Sequence, residues 1–267
     1  QSSISYYRQI IPKLKDAKIY NISRLNDQLG QILNMFLVHQ VDEPVIEAIE
    51  NFLDEIGDEA SRFSNQHITA KGLVKRGVSY IENPSLRNYL KALDNFHKAK
   101  LLWYNEKTKE GFILSLINIG QVYAGLGMNI ASKYYGLCGV WASVHFGDPS
   151  SFKRISDAYA MVFYSDFKQG VWISALDDFE NYIRTRLEFK AAPPDIEKDS
   201  IFRKVLLDLS CILAATPKLK PELSVFIEFQ KEQMGWVYDE YLKPLVEELD
   251  NKFDNEEDLR SILRNKL

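Results

Sequence analysis

The chain has 267 residues, of which 46% are hydrophobic and 26% charged, and a formal net charge of −4. That balance belongs to a folded protein with a sizeable core rather than to a disordered chain. The acidic surplus argues against a dedicated nucleic-acid binder, and two cysteines without a CxxC (Cys138 and Cys211) indicate neither a disulfide scaffold nor a structural zinc.

The chain opens on Gln1 without an apolar signal segment and is read as a piece of something longer, working in a reducing cytoplasm. Residues 1–70 read as N-terminal helical hairpins or a cap. Within them, "EPVIEAIENFLDEIGDEASRF" sets Val45, Ile46, Ile49, Phe52, Leu53 and Ile56 at helical spacing. "SLRNYLKALDNFHKAKLLW" sets Leu86, Leu90, Leu93, Phe96 and Leu101 the same way. Asn83-Pro84 and Asp148-Pro149 each offer a capping residue followed by proline at the first helical position. About ten to thirteen helices and no sheet are expected, because no run alternates with period 2.

The run from Phe112 to Ser132 carries no formal charge. It is as long as the roughly 20 residues that cross a bilayer. Asn118, Gln121 and Asn129 interrupt it, however, and "GLGMN" at 125–129 has the glycines of a turn. The run therefore reads as helix, tight turn and helix, each half buried between neighbours, with no membrane insertion.

Splitting it there exposes a recurring order. Gly77 and Tyr80 precede Ala92, Phe96 and Ala99. Gly120 and Tyr123 precede Ala131, Tyr135 and Cys138. Ala160 and Phe163 precede Ala175, Phe179 and Tyr182. A small residue lets the two helices of a hairpin approach, and an aromatic fills the gap beside it. This order resembles the tetratricopeptide-repeat family over residues 71–190. The alanines are spaced wider than the family period of about 34. Ser156 stands where the family has the leucine matched by Leu73 and Leu116, and Arg76 where it has another.

The resemblance implies an all-α fold of antiparallel hairpins stacked as a right-handed solenoid, with capping helices at both ends. Residues 196–267 would form the C-terminal cap, "AAPPD" at 191–195 breaking the helix before it, and the whole would be one continuous elongated domain. Within the cap, "SIFRKVLLDLSCILAA" sets Ile201, Val205, Leu206, Leu209 and Ile212 on one face. The family's concave surface comes from the first helix of each hairpin. The match puts Lys71, Lys75 and Val78 there in the first unit. Leu114, Ile117, Asn118 and Gln121 follow in the second, and Arg154, Asp157, Met161 and Tyr164 in the third. Lys71, Lys75 and Arg154 against Asp157, with the amides of Asn118 and Gln121 and the ring of Tyr164, would suit an extended, acidic protein or peptide segment.

No GxxxxGK(S/T), GxGxxG, GxSxG or HExxH occurs, so no cofactor, metal or catalytic set is expected. Arg62 and His67 have the Arg-x4-His spacing that resembles the RNase motif of helical HEPN nucleases, in which the arginine holds phosphate charge and the histidine moves protons. The leading expectation is a non-catalytic protein-binding scaffold, part of a larger protein or complex. A structural or sensor arm without its own ligand, and the RNase, are the alternatives.

Overall fold

The structure is a computed structural model that describes residues 19–62, 66–106, 109–190 and 200–252, with a few isolated positions near the two ends. Every element among the described residues is helical. The proline break at 191–195 lies outside them. The chain divides into two compact units, Gln1–Arg154 and Ile155–Leu267.

The first unit begins with α1 (Ile19–Val38) and α2 (Glu43–Arg62). The periodic face expected on α2 is the buried one: Ile46, Ile49, Phe52, Leu53 and Ile56 close on Leu29 and Leu33 of α1. Between the helices Gln40 takes a left-handed φ of 50°. Val41 N–H then donates to Phe36 and Gln40 N–H to Leu37, the paired closure that satisfies the last carbonyls of a helix.

The next two helices are α3 (Gln66–Glu82) and α4 (Leu86–Tyr104). Tyr80, Ala92, Phe96 and Ala99 are all buried. Two expectations fail here. The cap of α4 is Ser85, whose hydroxyl accepts the N–H of Asn88 at 3.1 Å; Pro84 precedes the cap, and Asn83 instead accepts from the Asn88 side chain. The inner face is also rotated from the one the leucines outline. Leu86, Leu90 and Leu101 are exposed, and the helix packs through Ala92, Asn95, Phe96, Ala99 and Trp103. Small residues let α3 and α4 come closer than leucines would allow, and that contact outweighs the leucine stripe.

Next come α5 (Glu110–Gly125) and α6 (Asn129–Phe146), joined at Gly127, whose φ is +75°. The charge-free run is thus broken within three residues, and no helix of the described residues is long and apolar enough to cross a membrane. α5 is held to α4 at both ends by aromatic-on-glycine contacts. A Cβ added at Gly111 would lie 2.3 Å from the Trp103 ring, and one at Gly125 would lie 2.6 Å from the Tyr89 hydroxyl. Trp103 and Tyr89 are as far apart along α4 as the two glycines are along α5, which fixes the antiparallel register. The short α7 (Pro149–Phe152) closes the unit, with Asp148 as its cap, as expected.

The second unit opens on α8 (Ile155–Lys168) and α9 (Trp172–Lys190), turning at Gly170 with φ +72°. Phe163, Phe167, Ala175, Phe179 and Tyr182 form its first core layer. Then follow α10 (Ser200–Leu219), α11 (Ser224–Met234) and α12 (Lys243–Lys252). Val205, Leu206, Leu209 and Ile212 of α10 are buried against them, and Ile201's side chain lies outside the described residues.

Candidate interaction surface

The residues expected on a concave groove fall in different surroundings. Lys71 is exposed on α3. Lys75 is exposed too, but its ammonium pairs with Asp27 of α1. On α5, Gln121 faces solvent while Asn118 is buried, with 6% of its surface exposed. Arg154 pairs with Glu110 at 2.8 Å. Those five belong to the first unit. Asp157 and Tyr164 belong to the second, both half-buried, Tyr164 with Lys168 Nζ 5.4 Å above its ring. Two of the three cations that carry the positive balance of the groove, Lys75 and Arg154, are therefore matched by carboxylates already.

The Arg62 side chain lies outside the described residues. His67 stands edge-on to Trp103, centroids 4.7 Å apart. Burial, then the neighbouring Lys71, hold its imidazole below the ordinary value, so it favours the neutral form. No cluster of His, Cys, Asp and Glu that could hold a metal occurs among the described residues.

A more distinctive feature is the outer face of α6, which lies beyond the expected site residues. Toward its own hairpin α6 turns small residues: Ser132, Gly136, Gly139, Ala142 and Ser143 are buried. The Ser143 hydroxyl donates to the Gly139 carbonyl at 2.8 Å, so it needs no outside partner. Toward solvent α6 turns Ile130, Tyr134, Leu137, Trp141 and Val144, exposed by 76%, 61%, 46%, 60% and 60%. A surface helix normally does the reverse. The expectation that this second helix buries most of its surface between neighbours is corrected accordingly: its small-residue face is buried and the opposite face is exposed.

The five outward residues recur with 4-3-4-3 spacing, the a/d seam of a helix that packs against another helix. Lys133 is the only formal charge on α6, and no carboxylate lies on it. Trp141 is held by its neighbour one turn on, its ring stacked on His145 at 4.3 Å and 13°. The exposed leucines of α4 differ, because Asp94 and Lys98 form an ion pair among them at 2.7 Å. The heptad spacing was present in the sequence, but apolar residues on both sides of it hid the seam.

The start of α5 and the exit from α6 are joined through Asp148. Its carboxylate accepts the N–H groups of Ser150 and Ser151 at 2.9 and 3.2 Å, and that of Lys109 at 3.4 Å. Burial pushes this carboxyl up, but the hydrogen bonds from Ser150, Ser151 and Lys109 outweigh it and hold the group at about 2. The hairpin that carries the seam is thereby closed at its open end. In the second unit, Trp172, Ile173, Leu176, Leu213 and Ile227 line an apolar cavity of about 250 Å³. No protein-family model matches the chain, and no curated protein matches it.

Proposed function

We propose that the chain is a non-catalytic, protein-binding helical scaffold whose hairpins follow a tetratricopeptide-like solenoid register. The observation that carries this reading is the inverted α6, small residues inward and a heptad of large apolar residues outward. Contiguous apolar patches beyond a few hundred Å² are rare on monomeric proteins and mark interaction surfaces. Support for the register comes from Gly77 against Phe96 and from the buried Ala175 and Phe179 of the later hairpin. The groove on the first helices keeps Lys71 and Gln121 as solvent-facing members. An acidic segment bound there would compete with Asp27 and Glu110 for Lys75 and Arg154.

The test is site-specific photo-crosslinking. A benzophenone side chain placed at Trp141, or as control at Lys98, is irradiated in a cell extract containing the full chain. Discrete protein adducts from position 141, none from position 98, support the scaffold. An absence of adducts at both, in a folded protein, overturns it.

A further inference from the structure

Resting on the reading of α6 as an interaction surface, we propose that its occupant is a second copy of this chain, paired α6 to α6 in antiparallel orientation near Leu137. Three observations carry this. First, the seam runs Ile130, Tyr134, Leu137, Trp141, Val144, with Leu137 at its centre. Read backward it is again a heptad seam, so two copies related by a two-fold axis present the same row to each other. A self-complementary patch of that kind closes as a dimer instead of propagating.

Second, the area is right. With large side chains contributing about 150–250 Å² each when fully covered, the exposed parts of the five leave on the order of 600 Å² per copy. Pairing removes roughly 1,200 Å² in total, the lower end of stable specific interfaces. Third, the electrostatics select the orientation. α6 carries a single formal charge, Lys133, and no carboxylate, so the face is mainly apolar and suits a second apolar face. Parallel pairing would align the two helix dipoles and bring the two Lys133 side chains to one level. Antiparallel pairing opposes the dipoles and moves the lysines to opposite ends. Tyr134 and Trp141 are the anchors, being large and rigid, and Trp141 is already stacked on His145.

The experiment uses the purified full chain. Sedimentation equilibrium should show a monomer–dimer equilibrium for the wild type. Trp141→Glu and Leu137→Glu, both at exposed positions and with an unchanged circular dichroism spectrum, should weaken it by roughly 100-fold or more. A benzophenone at Leu137 should give a self-crosslinked dimer, and one at Lys98 none. A wild type that stays monomeric at every concentration and gives no self-adduct from position 137 overturns the pairing. If an extract then yields adducts to another protein from position 141, the interaction surface stands and only the second copy is wrong. If the extract also yields none, both readings fall together.

Discussion

Gly77 of α3 and Phe96 of α4 are in such close contact that a Cβ on the glycine would lie 2.5 Å from the ring's Cε1. Phe96 is fully buried, so the ring has no room to retreat. Gly77→Ala should therefore destabilise the first unit by about 1–3 kcal/mol, the usual cost of overpacking. Phe96→Ala should cost roughly 3–5 kcal/mol by leaving a cavity. Urea unfolding of the two variants checks this. If Gly77→Ala unfolds with the wild type, the contact is looser than described.

Asp148 gives an acid-side prediction. Its folded value, about 2, lies below the ordinary 3.8. Its contribution is thus present above about pH 4 and is lost as pH falls through 2. Asp148→Ala should destabilise by about 1 kcal/mol at neutral pH, as for other lost caps. The gap between variant and wild type should close on acidification. Thermal melts at a series of pH values read it directly, and a gap independent of pH would mean the carboxylate is not the cap.

His67 and His97 both have their imidazoles pushed down, chiefly by burial and next by Lys71 and Lys100 respectively. A lowered folded value means the unfolded chain binds protons first. Stability should then fall as pH drops below about 6.5, the unfolded value. His67→Gln/His97→Gln should flatten that slope. The same His67→Gln chain should leave any RNA substrate as intact as the wild type does. Cleavage by the wild type alone would restore the nuclease reading.

How much of this was legible beforehand differs from element to element. The hairpin turn at 125–129 was readable because Gly127 sits where only a positive φ closes the helix. The small-then-aromatic order of α3 and α4 was readable because close packing leaves a residue-size signature. The α4 cap was misplaced by a proline that imitates a first helical position, when Ser85 one residue later has the better-placed hydroxyl. Asn118 was put on the groove by its register alone, and register does not tell which face a third helix covers. α6 was the hardest case. A helix whose one formal charge is Lys133 announces burial, yet that says nothing about whether the burying partner belongs to the same chain.

Lys75 offers a check on the groove itself. Its pairing with Asp27 joins α3 to α1, and both side chains are nearly half exposed. Lys75→Glu should cost up to about 1 kcal/mol, and adding Asp27→Lys should recover most of it. A charge swap that recovers nothing would leave Lys75 unpaired in solution and return it to the groove.

The outward face of α6 is the centre of this account, and hydroxyl-radical footprinting of Trp141 and Tyr134 tests it most directly. Tyr104, also exposed at 56%, serves as the internal reference. In the dilute purified chain all three should be modified readily. At high concentration or in a cell extract, Trp141 and Tyr134 should be protected while Tyr104 is not. If Trp141 and Tyr134 label as fast as Tyr104 under every condition, nothing covers the seam, and α6 is not an interaction surface.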